Sequence, residues 1–277
     1  MTRRLIFTLL YDSGQFMLSR NFRLQKVGSI DWLFNNYDFA NVSHGLDELM
    51  VLDVTRGARN SDDFAATVQH IASRCFIPVT VGGGINSFDV ARLYMNSGAD
   101  KLLLNSAFES DPDLCRALAA HFGRQCIVAG IDYRMDAQGR RTVTTSAGTR
   151  EVGMDLPDWA NFVQACGAGE LLFQSVEQDG TGMGLDVPVL DTLHRMPDVP
   201  CILMGGVGKA SQIISALQQP AVDAVATANL FNFIGSAFLE VRQTIAEAGI
   251  PIPQWDSKEY AALHNRFAVT PTGQSDA

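Results

Sequence analysis

Short apolar runs alternate with amphipathic segments along most of the chain. The runs lack polar alternation, which is typical of strands covered on both faces in a parallel sheet. They are LIFTLL (5–10), ELMVLDV (48–54), PVTVGG (78–83), KLLLNS (101–106), CIVAGID (126–132), ELLFQSV (170–176), PCILMGG (200–206) and AVDAVATA (221–228). Segments such as 61–75, 85–98 and 111–123 instead space apolar residues three and four apart, and several begin with a Ser or Asp that can cap a helix. Eight β–α units in about 250 residues predict a TIM barrel, (β/α)8.

The two halves of the chain resemble each other at a fixed spacing of 122 or 123 residues. The matching pairs are Glu48 and Glu170, Pro78 and Pro200, and Asp100 and Asp223. The same spacing places Leu10, at the end of the first strand, opposite Asp132 at the end of the fifth. We therefore predict one α/β domain, residues 1–267, built from two repeated half-barrels, with a disordered tail at 268–277. A doubly wound open sheet would explain the alternation but not the repeat.

Two connections are longer than is usual within a barrel. Residues 11–29 follow the first strand and residues 133–154 follow the fifth, so they occupy equivalent places. Long connections in a compact domain are often functional. Because both follow the carboxyl ends of strands, we expect them to be lids on the face where barrel enzymes bind substrates.

The composition narrows the class of protein. Hydrophobic residues make up 47% and charged residues 18% of the chain, which favours a large core over disorder. A net charge of −9 and a pI near 4.9 argue against binding to the nucleic-acid backbone. The start, MTRRLIFTLLYDSG, resembles an export signal, but its apolar run is short and meets Asp12 without a small-residue cleavage site. No stretch has a membrane-spanning length, and we expect a cytoplasmic protein.

The cysteines and histidines give no pattern of metal ligands. The five cysteines are scattered without a CxxC motif, which favours buried thiols in a reducing compartment over disulfides or zinc. The five histidines lie mostly in segments with helical spacing. We therefore expect neither a metal nor a cofactor.

Glycine pairs follow the third and seventh strands, in equivalent positions of the two halves. Backbone N–H groups in such turns can approach an anion closely, and a following helix adds partial positive charge. Side chains or backbone after strands four and eight can donate further hydrogen bonds. The predicted phosphate-binding residues are Gly83, Gly84, Asn105 and Ser106 in the first half, and Gly205, Gly206, Ala228 and Asn229 in the second. Tight turns alone would explain either glycine pair, but their recurrence favours a substrate with phosphate at both ends.

The connection after the sixth strand contains DGTGMGLD (179–186) on the same face of the barrel. Asp179 could act on the substrate while Gly180 and Thr181 help to hold a phosphate. An Asp-Gly turn alone is weak evidence. Its position near the end of a barrel strand is what makes it a candidate.

Four charged residues mark the amino ends of strands, on the opposite face of the barrel. They are Arg4, Glu48, Lys101 and Glu170. A ring of salt bridges that only stabilises the barrel floor is one interpretation. Because burying charge is costly even when it is paired, a functional role is the other.

These features together resemble the HisF family, the cyclase subunit of imidazole glycerol phosphate synthase, over nearly the whole barrel. The motifs are DELMVLDV, VTVGGGINS, GADKLLLNSA, QCIVAGID, GAGELLFQSVEQDGT and MGGVG. The resemblance implies a HisH-like glutaminase on the barrel floor and ammonia that passes a charged gate, travels through the barrel and attacks a bisphosphorylated substrate. It places the gate at Arg4, Glu48, Lys101 and Glu170, and an acid–base carboxylate at Asp132.

The first strand departs from the family pattern. Where the family's cyclases read Cys-Leu-Asp, with that Asp as the second acid–base carboxylate, this chain has Thr8, Leu9 and Leu10. Leucine cannot transfer a proton, and loss of one member of an acid–base pair commonly costs about 10²–10⁴-fold in rate. The cyclase chemistry that the resemblance implies is therefore in question.

Other departures lie around the predicted phosphate sites. The family's lysine in the first lid is absent near Leu18, although Arg20 and Arg23 are close, and Asn229 replaces a serine. The Leu-Leu strand and the GT-x-x-x-G-x-D stretch, from Gly148 to Asp155, are similar to the HisF-like paralogues of surface-polysaccharide pathways. That resemblance implies ammonia delivery for amination or amidination of a sugar nucleotide.

Three hypotheses remain open. The first is an ammonia-channelling synthase subunit of a glutamine amidotransferase, acting on a phosphate-bearing sugar or nucleotide. The second is a histidine-pathway cyclase in which Asp12, two residues beyond Leu10, supplies the missing carboxylate. The third is a scaffold without activity of its own that binds and activates a glutaminase.

Overall fold

The structure, a computed structural model, describes residues 2–36, 45–193, 197–228 and 237–253. Twelve strands occur among these residues: β1 (Arg4–Asp12), β2 (Gln15–Arg20), β3 (Arg23–Ser29), β4 (Glu48–Asp53), β5 (Val79–Gly82), β6 (Lys101–Leu104), β7 (Ile127–Met135), β8 (Arg141–Thr145), β9 (Arg150–Asp155), β10 (Glu170–Ser175), β11 (Cys201–Met204) and β12 (Ala224–Thr227). The predicted tail lies outside the described residues.

Helices follow or flank most barrel strands. They are α1 (Ile30–Asn36), α2 (Ser61–Ala72), α3 (Phe88–Asn96), α4 (Ala107–Ser110), α5 (Pro112–Phe122), α6 (Leu156–Ala165), α7 (Ala210–Leu217) and α8 (Ala237–Glu247), with 3-10 turns at Arg124–Cys126 and Val187–Thr192. Side-chain caps define several starts: Ser87 accepts from the Val90 amide and Asp111 from the Leu114 amide. Within the described residues, no helix has the length and apolar character needed to cross a membrane.

Eight parallel strands close into a barrel, which confirms the predicted (β/α)8 fold. Their order is β10-β11-β12-β1-β4-β5-β6-β7, and pairing of β7 with β10 closes the ring. Apolar side chains line the barrel interior in a cluster that includes Ile6, Met50, Leu172 and Ile202. A second and larger apolar layer lies between the strands and the surrounding helices.

The strand bounds repeat between the two halves as the sequence predicts. β4 and β10 both begin at a glutamate, Glu48 and Glu170, and each runs for six residues. The repeat extends to partly buried hydrogen bonds at the strand starts. Asp100 accepts from the Val79 amide at 2.8 Å, and Asp223 accepts from the Cys201 amide at 2.9 Å. Each carboxylate thus satisfies an N–H group at the floor of its own half.

The two long connections are not irregular loops: each begins with an antiparallel β-hairpin. β2 and β3 extend from β1, and β8 and β9 extend from β7, so both hairpins continue the barrel sheet. In the first, Ser13 and Gly14 both have positive φ, at 49° and 82°, as a tight two-residue hairpin turn requires. In the second, Asp136 accepts from the Gln138 and Arg140 amides and so shapes the turn.

Candidate active site

Asp132 lies on the inward face of β7, at the carboxyl-end mouth of the barrel. Asp132 is partly exposed as a residue. Desolvation of its carboxyl group nevertheless raises the pKa to about 7, and the negative charge of Asp179 adds to the increase. A hydrogen bond from Asn105 opposes the shift in pKa. A carboxyl group that is about half ionised near neutral pH can both accept and return a proton.

Asp179 is largely buried and tied to the first hairpin. Its Oδ2 atom accepts hydrogen bonds from the Ser19 hydroxyl and from the Phe22 amide. Desolvation raises the pKa of Asp179, and those two hydrogen bonds oppose the increase. The carboxylate therefore holds the β2–β3 hairpin across the mouth, a role that the sequence did not reveal.

A cavity beneath this hairpin brings together much of the second predicted phosphate site. Its lining includes Gly180, Gly205, Gly206 and Ala228, together with Ser19 of the hairpin. We call these four predicted residues the second cup. Asn229 lies outside the described residues. The hydroxyl of the predicted Thr181 instead donates to the Gln178 carbonyl at 2.7 Å, within its own turn.

Two glycines of the second cup are required by the packing of the backbone. A Cβ atom on Gly206 would lie 2.1 Å from the Gly184 carbonyl oxygen, and one on Gly180 would lie 2.0 Å from that of Ser19. Both glycines also have positive φ, at 98° and 66°. Side chains therefore cannot be introduced there without moving the backbone, whether or not a phosphate binds.

The first predicted phosphate site lies at the ends of β5 and β6. We call Gly83, Gly84, Asn105 and Ser106 the first cup. The Asn105 side chain donates to the Gly130 carbonyl at 3.0 Å, and the Ser106 hydroxyl donates to the Asn105 side-chain oxygen at 3.3 Å. The Ser106 oxygen also accepts from the Ser146 amide of the second hairpin, at 3.2 Å.

The end of β1 carries hydrocarbon where β7 carries Asp132. Leu10 is 6% exposed and belongs to the apolar cluster inside the barrel, with Leu52 and Leu103. Met17 of the hairpin packs against the same cluster. Asp12 lies at the hairpin turn, where its carboxylate accepts a hydrogen bond from Ser13. The Asp12 carboxylate therefore takes part in the hairpin turn and not in the apolar cluster around Leu10.

The four charged residues on the floor form a closed ring. Arg4 contacts Glu48 at 3.0 Å and Glu170 at 3.2 Å, and Lys101 contacts each glutamate at 2.9 Å. Burial alone would lower the pKa of Arg4, but the charges of Glu170 and Glu48 outweigh it and raise that pKa. The buried Thr80 hydroxyl donates to the remaining Glu48 oxygen. This ring closes the amino-end entrance to the barrel.

Sequence reasoning missed Thr80, Ser19 and the anchor of the second hairpin. Thr80 could have been found, because it is a polar position in β5, a short strand at the level of the ring. The hairpin anchor is Asp186, which pairs with Arg141 at 2.7 Å and accepts from the Tyr133 hydroxyl at 3.1 Å. That contact joins residues far apart in the chain, so no local pattern signals it.

Comparison with known proteins agrees with this architecture. The fold and the site define a (β/α)8 barrel with charged residues on its floor and a carboxylate at its mouth. The family model described as "Histidine biosynthesis protein" matches residues 35–236. A protein of Parasynechococcus marenigrum (strain WH8102), named "Putative imidazole glycerol phosphate synthase subunit hisF2", is 36% identical over 254 residues, covering 91% of this chain and 94% of that protein.

Two further relatives come from Streptomyces and are both named "Imidazole glycerol phosphate synthase subunit HisF". The protein of Streptomyces griseus is 35% identical and that of Streptomyces coelicolor 36% identical, each over 250 residues, covering 90% of this chain and 98% of the relative. The chain therefore belongs to the HisF family of histidine biosynthesis proteins.

Proposed function

We propose that this protein is the synthase subunit of a glutamine amidotransferase. In this proposal a HisH-like glutaminase docks on the barrel floor, and ammonia passes the ring of Arg4, Glu48, Lys101 and Glu170. It then travels through the apolar interior and adds to a phosphate-bearing sugar or nucleotide at the mouth. The observation that carries the proposal is the ring itself, which closes the floor directly below an interior lined by apolar side chains.

The interior favours ammonia over ammonium. The apolar cluster includes Ile6, Val128, Leu172 and Ala224, so a charged species inside it would lose its hydration without compensation. Neutral ammonia carries a much smaller penalty. An interior of this kind fits the transfer of a small neutral nucleophile from one face of the barrel to the other.

Asp132 is the proposed proton carrier at the mouth. When ammonia forms a bond to an electrophilic carbon, the nitrogen becomes positively charged and must lose a proton. An ionised Asp132 accepts that proton and can return it to the oxygen that leaves or becomes a hydroxyl. A pKa of about 7 suits both steps.

The absence of a second carboxylate at Leu10 separates this proposal from a complete histidine-pathway cyclase. Leu10 contributes to the apolar cluster, and Asp12 lies at the hairpin turn and accepts from Ser13, so we expect neither to act as an acid–base group opposite Asp132. This difference favours amination or amidination of a sugar nucleotide for surface polysaccharide, the first of the sequence-based hypotheses.

The histidine-pathway cyclase remains the second candidate function, favoured by the printed names of the Streptomyces relatives. Turnover of the cyclase intermediate by the purified complex distinguishes the two. We expect only trace activity in the natural protein and an increase with Leu10→Asp, provided that the variant remains folded by circular dichroism. Full cyclase turnover by the natural protein would overturn the amination proposal.

The proposed ammonia path is tested at the ring. Lys101→Met leaves Arg4 as the only cation of the ring between two glutamates. Breaking a fully buried pair costs about 3–5 kcal/mol, and the cost here should be smaller because the Lys101 side chain is 16% exposed. With glutamine as nitrogen source, we expect the glutaminase to keep hydrolysing glutamine while the yield of aminated product falls. Ammonium salts at high concentration should restore product, because free ammonia can reach the mouth from solution.

A control variant separates the ring from general loss of charge. Arg116→Met removes an exposed cation that pairs with Asp113 on α5 and is not a member of the floor ring. It should leave glutamine-dependent product unchanged. If Lys101→Met and Glu48→Gln both use glutamine as efficiently as the natural protein, the ring is structural only and the ammonia-port proposal fails.

A further inference from the structure

Arg59, which no sequence motif singled out, lies against the first cup. It follows β4, and its side chain passes over Gly84: a Cβ atom on that glycine would lie 2.7 Å from Arg59 Cδ and 3.4 Å from Nε. The side chain is 37% exposed, which leaves part of it accessible to a ligand. Asp53, which is almost fully buried, holds it through an ion pair of 3.4 Å to Nε.

The residues at the equivalent positions of the other half differ from the Arg59–Asp53 pair. The residue 122 positions after Arg59 is Thr181, whose hydroxyl is engaged by the Gln178 carbonyl. The position equivalent to Asp53 is Ser175, which carries no charge. Among the described residues that line the cavity of the second cup, there is no lysine or arginine. The two cups therefore differ in charge although their glycines are equivalent.

We propose that Arg59 is a specificity-determining residue, which makes the first cup the end of the site that takes the more highly charged phosphate of the substrate. That group is a terminal phosphate monoester, which carries two negative charges above its second pKa near 6, in contrast to a singly charged phosphodiester. This inference rests on the proposed function, because it assumes that the cups hold phosphate groups.

The chemistry of arginine supports this assignment. A guanidinium group has five N–H donors in a fixed plane, and Nε is the Arg59 atom in the ion pair with Asp53. The terminal donors can therefore meet two phosphate oxygens together, next to the backbone amides of Gly83 and Gly84. Asp53 orients the guanidinium before the ligand binds, but its negative charge also weakens the attraction for phosphate.

This ion pair gives the proposal a distinctive signature, because its two members should have opposite effects on binding. Arg59→Gln should weaken binding of methyl phosphate at the first cup by about 10- to 100-fold, as expected for loss of a charged hydrogen-bonding partner. Asp53→Asn should strengthen it several-fold, since asparagine can still accept from the Thr55 amide, which donates to Asp53 at 2.9 Å. Arg59→Lys should be intermediate, because it keeps the charge without the planar fork.

The experiment is a titration of the full chain with methyl phosphate at pH 8, followed by backbone amide chemical shifts. Shifts of Gly84 and Ser106 report the first cup, and shifts of Gly205 and Gly206 report the second. We expect tighter binding at the first cup, and dimethyl phosphate, the singly charged diester, should show no such preference. Arg92→Gln is the matched control, since it removes an exposed arginine that pairs with Asp89 on α3.

A second variant separates this inference from the proposed function. Ala228→Glu places a carboxylate in the second cavity and should remove the shifts of Gly205 and Gly206 alone. If Arg59→Gln leaves first-cup affinity unchanged while Ala228→Glu has its effect, the role of Arg59 is refuted and the phosphate cups stand. If the natural protein shows no shifts in either cup with methyl phosphate, both the inference and the phosphate-binding part of the proposed function fail.

Discussion

At the mouth of the second half-barrel, strand β7 carries Asp132, and at the equivalent point of the first half strand β1 carries Leu10. The backbone elements around the two positions correspond. Each strand continues into a β-hairpin, and in each half a glycine pair follows the barrel strand that comes two barrel strands later. The difference lies in the side chains. One half presents a carboxyl group with a raised pKa, and the other presents hydrocarbon that packs into the barrel. Duplication thus preserved the framework, while each half acquired its own chemistry at the mouth.

The largest effect should follow from removing the carboxyl group of the second half. Asp132→Asn keeps the size of the side chain but cannot carry a proton, so we expect turnover with ammonium chloride as nitrogen source to fall by about 10²–10⁴-fold. The measurement is steady-state turnover of the phosphorylated acceptor.

The control for that variant lies in the other half. Leu10→Met conserves volume and apolar character at the equivalent position, and its turnover should stay close to that of the natural protein. If Asp132→Asn retains turnover within about threefold of the natural protein, where general acid–base catalysis normally contributes 10²–10⁴, Asp132 is not the proton carrier.

A second prediction compares equivalent glycines of the two cups. Gly83 and Gly205 have φ of 100° and 99°, but a Cβ atom would lie 2.1 Å from the Asp53 carbonyl oxygen in the first case and 3.0 Å from that of Ser175 in the second. In both alanine variants the strained φ lowers the free energy of unfolding, by an amount of order 1–2 kcal/mol. Gly83→Ala must also displace backbone, so we expect a total loss of about 3–4 kcal/mol.

Urea denaturation of the two alanine variants measures this difference. A loss of equal size in both would mean that the first half relaxes around the added methyl group. It would also mean that the half-barrels are less distinct in their packing than their distances indicate.

The sequence predicted the barrel because its evidence is local. Each strand is a short apolar run, and the offset between halves can be read directly from residues such as Glu48 and Glu170. The floor ring followed for the same reason: a charge at the first position of a barrel strand can only be near other first positions. The structure confirms the fold, whereas the functional roles of the site residues remain predictions.

The hairpins and their contacts could not be predicted in this way. The hydrogen bond between Ser19 and Asp179 joins residues 160 positions apart, and it exists only because β2 and β3 fold back across the mouth. The position of Arg59 over Gly84 likewise depends on the course of the β4–α2 connection. Both contacts depend on how the chain folds back in three dimensions, which neither apolar spacing nor turn residues specify.

A third prediction uses the pH dependence of stability. The pKa of Asp132 is about 7 when folded, above its ordinary value of 3.8. The folded state therefore binds more protons than the unfolded state between about pH 4 and 7, and Asp132 lowers stability as pH rises through that window. Asp132→Asn removes this loss. We expect the variant to be about 1–3 kcal/mol more stable than the natural protein at pH 8 and to lose that advantage near pH 4.

Asp136 provides a comparison of opposite sign. A hydrogen bond from the Arg140 backbone amide lowers the pKa of this carboxyl group. Asp136→Asn should therefore show no gain in stability at pH 8. Chemical denaturation at several pH values tests both variants, and a pH-independent difference between Asp132→Asn and the natural protein would contradict the raised pKa.

The smallest expected effect concerns the side-chain hydrogen bonds that hold the two hairpins in place. In the first, the Ser19 hydroxyl donates to Asp179, and in the second the Thr145 hydroxyl donates to Glu109 at 2.7 Å. Asp179 is 5% exposed and its Oδ2 atom would keep only the Phe22 amide, whereas Glu109 also pairs with Arg150 at 3.0 Å. Ser19→Ala should therefore cost about 1–2 kcal/mol of stability, and Thr145→Val about 0.5–1.

The same pair of variants tests whether the hairpins differ in their relation to the site. The second cup lies beneath the hairpin that Ser19 fastens, so Ser19→Ala should also increase hydrogen exchange of the amides around Gly180 and Gly205. Thr145→Val should instead act near Ser106, which accepts from the Ser146 amide next to Thr145 in the chain. If both variants raise exchange equally in both cups, the mouth opens as one unit and the half-barrels are not independent there. If each acts only on the cup that it covers, each cup has its own cover, supplied by the hairpin of the other half, and the repeat seen in the backbone extends to the motion of the site.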